Sequence, residues 1–172
     1  MAEETMDTTA RYQAISKEAS RVEEDATLSA KGHFEASRLW GRRHLWIGIP
    51  NTMFAAIAGV SILAEWWPVA SGVLALTVAA LSALFTFLDP RGVAASHSKF
   101  GNAYKALQND TRVFREIECH QDKQVDELVE KLNELNDRRN SLNEESPQIP
   151  RGAFERAKRG VAVGEASYAA DK

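Results

Sequence analysis

The chain has 172 residues, enough for one ordinary domain, and its 21 basic side chains nearly balance 24 acidic ones. This balance argues against a nucleic-acid-binding surface, and a single cysteine, Cys119, excludes an intramolecular disulfide framework and a metal site built from several cysteines. The charge is unevenly distributed, because Glu65 is the only charged residue between Leu45 and Leu88. The chain therefore consists of an apolar middle and two charged flanks.

Residues 1–44 are predicted to form a cytoplasmic helix. Its apolar side chains recur at alternating spacings of three and four, the heptad pattern of a coiled coil. These residues are Tyr12, Ile15, Ala19, Val22 and Ala26. No cleavable signal peptide is predicted, because the first apolar run begins at Leu45 and follows a charged, helix-compatible segment. A helix of this kind packs against a partner, in the same chain or in another.

Two uncharged segments follow, at residues 45–64 and 67–88. A helix of about 20 residues is about 30 Å long, which matches the hydrocarbon core of a bilayer. A soluble helical hairpin is the alternative, but a chain of this size has too little protein to cover two such helices. The sequence therefore predicts an all-α membrane protein with a two-helix transmembrane hairpin at residues 45–88.

The turn between the two spans holds Glu65, Trp66, Trp67 and Pro68, where the indole rings suit the headgroup region and the proline suits a helix start. Basic residues flank the hairpin, and none lies in the turn; they are Arg38, Arg42, Arg43, Arg91, Lys99 and Lys105. Both termini are therefore predicted to be cytoplasmic. The predicted interfacial residues are Arg42, Arg43, His44, Trp66 and Trp67.

Each span has a face of small side chains opposite a face of bulky ones when its residues are projected at about 100° per residue. The small faces are predicted to contact helices and the bulky faces lipid. The small faces comprise Gly48, Thr52, Ala55 and Gly59 in the first span and Gly72, Ala75, Ala79, Ala83 and Thr86 in the second. The bulky faces comprise Trp46, Met53, Ile57 and Val60 in the first and Leu74, Val78, Leu81, Phe85 and Leu88 in the second.

Pro50 and Asn51 are chemically unusual inside the first span, because proline frees a carbonyl and an amide in hydrocarbon requires a partner. One interpretation is a kink or a polar point on a conducting path. The favoured interpretation is a helix start and an interhelical hydrogen bond. The residues predicted to line a pore or to contact a helix are Gly48, Pro50, Asn51, Gly59, Ser71, Ser82 and Thr86.

Residues 89–146 are predicted to form a second cytoplasmic helical segment, made of one or two long helices. Apart from Arg139, its second half repeats the heptad pattern, at Val125, Leu128, Leu132, Leu135 and Leu142. The two heptad patterns either pack on each other within one chain, which is the favoured interpretation, or join several chains. Pro147 and Pro150 break this segment, and residues 147–172 are predicted to form a short helix and tail.

Catalytic candidates are few. The four histidines, His33, His44, His97 and His120, are scattered along the chain, and neither a glycine-rich phosphate loop nor a paired metal-ligand motif is present in the sequence. We therefore expect no enzymatic activity, no catalytic residue, no metal and no cofactor.

The segments "RRHLWIGIPNTMFAAIAGVSIL", "FTFLDP", "SHSKFGNAYKALQNDTRVF" and "IPRGAFERAKRGV" follow one another in this order. This order resembles the SLATT domain family, two-transmembrane effector domains that associate with SMODS nucleotidyltransferase and SLOG sensor domains, and the resemblance covers residues 29–168. It implies a multi-pass protein of a prokaryotic cell (inner) membrane that forms a pore or disrupts the membrane in conflict systems such as antiphage defence. A partner or a nucleotide signal would switch it on.

The family contributes no catalytic residues. Its recurrent positions correspond to Arg43, His44, Gly48, Pro50, His97, Tyr104, Leu107 and Arg112. We expect His97, Tyr104, Leu107 and Arg112 to join the membrane-proximal helices, and Leu128 and Leu132 to contribute the heptad contacts. Since no sensor domain is recognisable in the chain, the trigger would come from a separate protein, such as a nucleotidyltransferase or sensor encoded nearby, or act on the flanking helices.

Two helices of about 10 Å diameter cannot enclose a lumen, so a pore requires several chains in a closed ring. The leading hypothesis is therefore a homo-oligomeric membrane effector. One alternative is a non-conducting membrane anchor or scaffold that docks partners through its cytoplasmic helices. Another is a holin-like lysis protein, a class with far smaller soluble flanks.

Overall fold

The structure, a computed structural model, describes residues 2–64, 67–120 and 124–168. Every regular element in these ranges is a helix, which confirms the all-α fold class. The helices are α1 at Ala2–Leu63, α2 at Pro68–Leu88, α3 at Pro90–Glu116, α4 at Val125–Glu145 and α5 at Arg151–Ala162, with a 3₁₀ turn at Glu118–His120.

Contacts within the chain define two compact units. The hairpin unit is Ser37–Ser96 and contains the end of α1, all of α2 and the start of α3. The bundle unit consists of the described residues of Met1–Ala36 and His97–Lys172. Both α1 and α3 therefore contribute residues to both units.

In the hairpin unit, α1 continues through Pro50 without ending, so the predicted helix start at Pro50 is wrong. The proline ring removes the N–H that would bond to the carbonyl of Trp46. The hydroxyl of Thr52 donates to the carbonyl of Gly48 at 2.9 Å, one turn back in the same helix. The boundary predicted at residue 44 is therefore a change of composition within one helix and not a break in the backbone.

The structure contains two helical segments long and apolar enough to cross a membrane, Thr9–Leu63 and Pro68–His120. The chain buries only 6% and 11% of their most apolar windows. Large side chains lie on the surface there, with Leu63 87% and Phe87 86% exposed. The core helix of a soluble protein buries most of its apolar side chains, so these two segments show the opposite pattern.

A single residue, Asp89, separates α2 from α3. Its backbone is left-handed at φ 35°, a conformation that Asp tolerates better than most residues. Its N–H donates to the carbonyl of Phe85 at 3.1 Å, and its Oδ1 accepts the N–H of Gly92 at 3.0 Å. Pro90 then begins α3, where a missing N–H is harmless. The backbone interruption at Asp89 and Pro90 therefore coincides with the end of the uncharged segment predicted at residues 67–88.

The bundle unit has an apolar core in which the two heptad patterns meet. The core residues come from α1, α3 and α4: Ile15, Ala19, Ala26, Leu107, Phe114, Leu128, Leu132 and Leu135. Alanine on α1 allows the other helices to approach closely, and the larger side chains of α3 and α4 fill the remaining space. The favoured prediction, that the heptad patterns pack within one chain, is confirmed.

Pairs of opposite charge connect α1 to the other elements of the bundle unit. Glu23 accepts from Arg115 of α3 at 3.0 Å, and both side chains are largely shielded from solvent. Glu35 accepts from Arg156 of α5 at 3.0 Å. Because α5 also buries Ala153, Ala157 and Gly160 on one side, apolar packing and charge hold it in place together.

Candidate functional site

Asn51 of α1 and Ser82 of α2 form a polar contact inside the hairpin unit. The Nδ2 atom of Asn51 donates to the Oγ atom of Ser82 at 2.8 Å. In an apolar environment a hydrogen bond of this kind contributes about 0.6–2 kcal/mol to helix association. The interpretation of Asn51 as an interhelical hydrogen-bonding residue matches this contact.

An aromatic contact lies beside it. The rings of His44 and Phe85 are stacked, with centroids 5.3 Å apart and an interplanar angle of 24°. The Phe85 ring also lies 3.8 Å from the position that a Cβ atom on Gly48 would occupy. Gly48 therefore provides the space that Phe85 fills, which is how large and small residues alternate across a well-packed helix contact.

The prediction that bulky faces point away from the neighbouring helix is wrong for Val78 and Phe85 of α2, whereas Leu81 and Leu88 of the same face are exposed. Phe85 packs on α1, and Val78 is buried at 8% exposure. By contrast, a Cβ atom added to Gly59 or Gly72 would meet nothing within 4 Å. The reason is that a bulky side chain fitted into a glycine notch buries more surface than two small faces in contact.

A cleft of about 510 Å³ adjoins the Asn51–Ser82 contact and lies between α1 and α2. Its lining includes Asn51, Ser82, His44, Thr52 and Thr86. Two buried polar atoms of this lining, Asn51 Oδ1 and His44 Nδ1, have no hydrogen-bond partner among the described residues. The two threonine hydroxyls instead donate to carbonyls one turn earlier in their own helices, each at 2.9 Å.

Ser71 lies away from this cleft. It is buried at 4% exposure near the start of α2 and lines a separate cavity of about 590 Å³, together with Ser61 and Trp67. Trp67 is 83% exposed and has left-handed backbone geometry, φ 46°. Glu65 and Trp66, predicted to form the turn, lie outside the described residues. The predicted polar candidates therefore occupy two places in the hairpin unit and not one continuous line.

The predicted basic interface begins within α1. Arg42 is exposed, and the guanidinium carbon of Arg43 lies 4.7 Å from the centroid of the Trp40 ring. A cation over an indole face is a favourable contact that leaves the charge near water. This geometry suits a residue at the boundary between an apolar and a polar medium.

His33 and His97 form a buried pair in the bundle unit, with their Nδ1 atoms 2.9 Å apart. The His33 ring also stacks on Tyr104, with centroids 5.4 Å apart. Burial and the neighbouring His97 lower the pKa of His33 to about 4, and burial lowers the pKa of His97 as well. The sequence offered one signal for this pair: His33 lies seven residues after Ala26 and so continues the heptad pattern.

Tyr104 connects this pair to α4. Its hydroxyl donates to Oδ1 of Asn143 at 2.8 Å, and burial raises its pKa. The other residues expected to join the flanking helices include Leu107, Leu128 and Leu132, which are buried in the bundle core. The structure therefore brings most of the predicted helix-contact residues of the flanks together within one unit.

Arg112 takes part in a different contact. Its guanidinium carbon lies 4.6 Å from the centroid of the Tyr168 ring, and Nζ of Lys105 donates to the Tyr168 hydroxyl at 3.0 Å. The hydrogen bond from Lys105 lowers the pKa of Tyr168. Arg112 and Lys105 thus attach the segment after α5 to α3, a role that the sequence did not predict.

Within residues 2–64, 67–120 and 124–168, no group of three or more His, Cys, Asp or Glu side chains is arranged to hold a metal ion. What the arrangement provides is an apolar hairpin with a polar contact inside it, joined in sequence to a packed helical bundle. No protein-family model, curated protein or solved structure matches the chain. The resemblance to SLATT domains therefore rests on the order and composition of the segments.

Proposed function

We propose that the chain is a membrane effector of a prokaryotic conflict or antiphage defence system. In this proposal its hairpin unit crosses the cell (inner) membrane with both termini in the cytoplasm, and several copies assemble into a pore or disrupt the bilayer. One observation carries the proposal: the chain buries only 6% and 11% of the apolar windows of its two long helical segments.

Lipid is the environment that suits this surface. Side chains such as Trp46, at 79% exposure, and Phe87, at 86%, would order water unfavourably in solution. The bundle unit contrasts with this, because most of its heptad residues are buried and charge pairs such as Arg138–Asp110 and Arg156–Glu35 lie on its surface. This difference between the two units supports a hairpin in lipid and a bundle in water.

Assembly follows from the size of the hairpin. Two helices cannot surround a lumen, so conduction requires several copies around an axis. Gly59 and Gly72 have open space beside them in the single chain, which supports close contact between neighbouring copies. The resemblance to SLATT domains supports a trigger that is a nucleotide signal or a partner protein, such as a nucleotidyltransferase or sensor encoded nearby.

A non-conducting membrane anchor is the second candidate. It is favoured by the Asn51–Ser82 hydrogen bond, because this bond stabilises the hairpin within a single chain and needs no second copy. In this case the bundle unit would serve as a docking platform for partner proteins.

Expression of the full chain in bacteria tests the proposal, since a high concentration replaces the missing signal by mass action. We expect loss of membrane potential, entry of an impermeant dye and arrested growth. The matched control carries Leu76→Arg and Leu84→Arg, which place two charges on exposed positions of α2. Each charge costs about 2.5–3.5 kcal/mol at the centre of a span, so this variant should neither insert nor depolarise the cells.

A negative result excludes the effector function only if the protein is shown to be inserted in the membrane. If the wild-type protein is found in the membrane at high level, is supplied with its genomic partner under triggering conditions, and leaves potential and dye entry unchanged, the effector function is excluded. The anchor function then takes its place.

A further inference from the structure

We propose that the cleft between α1 and α2 is a hydrated site inside the apolar hairpin, which binds water and gives a conducting assembly its polar lining. This inference rests on the proposed insertion of the hairpin into a membrane. It assigns the lining to the inside of the hairpin, around Asn51 and Ser82, and not to the outward faces that carry Gly59.

The hydrogen bonds of Asn51 carry the argument. Its side-chain amide has two N–H donors and one oxygen acceptor, and the structure satisfies one donor through Ser82 Oγ. The oxygen is buried and has no partner among the described residues. Rotating the amide by half a turn would pair the oxygen with the Ser82 hydroxyl, but would leave the buried NH₂ group without an acceptor. Either orientation therefore leaves a polar group unmet.

An unmet buried polar group costs about 1–3 kcal/mol, and lipid tails offer no partner for it. Asn51 is the seventh residue of the uncharged segment at residues 45–64, whose other residues are almost all apolar. A water molecule in the adjoining cleft is the species that can both donate to Oδ1 and accept from a spare N–H. The side chain of Asn51 therefore requires a small molecule that can both donate and accept hydrogen bonds.

A second unmet atom lines the same cleft. His44 Nδ1 is buried and has no partner among the described residues, while its ring is held against Phe85. His44 and Asn51 are seven residues apart on α1, so their backbones are separated by about 10 Å along the helix axis. Polar atoms without partners are therefore distributed along the cleft. This favours a row of several water molecules over one isolated molecule.

The cleft is large enough to hold several water molecules, and its lining residues can bind them. Its volume is about 510 Å³, and one water in the liquid occupies about 30 Å³. The O–H groups of Thr52 and Thr86 donate to backbone carbonyls, and their oxygen atoms keep lone pairs that can still accept from water. Each water near Asn51 can thus make the two or more hydrogen bonds that buried waters require.

Reaction of cysteines with N-ethylmaleimide tests the site, because the reactive thiolate forms only where water reaches the sulfur. The full chain in its membrane carries Cys119→Ser and one added cysteine. Thr52→Cys and Thr86→Cys line the cleft; Phe54→Cys and Phe87→Cys, at neighbouring positions on the same helices, do not. We expect each cleft cysteine to react at least tenfold faster than its neighbour outside the cleft.

The four rates separate the possible failures. Fast reaction at all four positions means that the hairpin is not in lipid, and the proposed membrane function fails with the inference. Slow reaction at all four means a dry cleft, which overturns the inference and leaves membrane insertion standing. Far-UV circular dichroism of each variant verifies that its helices are intact.

One further substitution tests the role of Asn51. Adding Asn51→Leu to the Thr86→Cys protein removes the amide, keeps a similar volume and leaves the reporting cysteine in place. We expect the reaction rate at residue 86 to fall at least fivefold, towards the rate of Phe87→Cys. An unchanged rate would show that Asn51 does not bring water into the cleft, and would overturn the inference even if the cleft cysteines react quickly.

Discussion

His33 and His97 face each other across the contact between α1 and α3, with their Nδ1 atoms 2.9 Å apart and their exposed fractions only 1% and 2%. One imidazole must donate and the other must accept, so the contact holds a single proton. From α4, the neutral Asn143 reaches this region through the Tyr104 hydroxyl. A second proton would place two N–H groups against each other.

Two charged residues of α1 that flank His33 in sequence form ion pairs with other elements. On α1, Lys31 pairs with Glu165 at 2.8 Å. Also on α1, Glu35 pairs with Arg156 of α5 at 3.0 Å. The cause that lowers the pKa of His97 is burial, and for His33 it is burial followed by the charge of its partner histidine. Neutral histidines are therefore the stable form of the pair.

We expect the bundle unit to lose stability on acidification. The folded-state pKa of His33 is about 4 and that of His97 is also below 6.5, so the unfolded chain binds more protons as the pH falls from 6.5. The stabilisation is complete above about pH 6.5 and decreases towards pH 4, by about 3 kcal/mol for His33. Urea unfolding of the full chain in detergent, followed from pH 7.5 to 4.5, measures this change.

The matched variants for this prediction are His33→Gln with His97→Gln, which removes the titration, and His120→Gln, which alters an exposed histidine. The double variant should have a flatter pH dependence, and the control should follow the wild type. An unchanged slope in the double variant would contradict the assignment to this pair. Hydrogen–deuterium exchange at the imidazole C2 position reports both pKa values in the wild type, without any substitution.

Leu128 and Val129 are adjacent on α4 but differ in burial. Leu128 is 1% exposed and belongs to the core, whereas Val129 is 37% exposed. We expect Leu128→Ala to lower the free energy of unfolding by about 2–5 kcal/mol, because it removes apolar contacts and leaves a cavity. Val129→Ala should cost well under 1 kcal/mol. Comparable losses in the two variants, measured by urea unfolding, would show that Leu128 is not a core residue.

Gly101 marks a close approach between α3 and α1. A Cβ atom at this position would lie 2.8 Å from the ring of Phe34, whereas one on Gly152 would have its nearest neighbour at 3.7 Å, on the flexible side chain of Arg156. Gly101→Ala should therefore destabilise the bundle unit by about 1–3 kcal/mol through overpacking. Gly152→Ala should be neutral or stabilise by up to about 1 kcal/mol. Thermal unfolding measures the change in stability of each variant. An increase in stability in the Gly101→Ala variant would contradict the close approach between α3 and α1.

Labelling with an impermeant thiol reagent tests the orientation of the hairpin. In a Cys119→Ser background, Trp67→Cys and Arg91→Cys place a thiol beyond each end of α2. The distribution of basic residues predicts that only Trp67→Cys is labelled from outside intact cells, and that Arg91→Cys is labelled after permeabilisation. The reverse pattern would invert the orientation, and labelling of both from outside would mean that α2 does not cross the membrane.

The helical class and the two apolar segments can be derived from the amino-acid sequence alone. These properties are local, because hydrophobic periodicity, uncharged length and the Asp89–Pro90 interruption depend on neighbouring residues along the chain. The heptad patterns likewise marked Leu128 and Ala19 as buried. Whether the two patterns meet each other was favoured from the sequence but required the fold to confirm it.

Which helix faces contact each other became apparent only from the three-dimensional fold. The sequence predicts that the small face of α2 contacts α1. In the structure Phe85 packs against α1 instead, because Gly48 leaves a notch of suitable size. The pairing of His33 with His97, 64 positions apart, also depends on the fold, because the heptad pattern marks His33 as a buried position but does not indicate its partner. Contacts between residues so distant in sequence depend on the complementary shapes of two surfaces, and a periodic pattern records only that each surface is apolar.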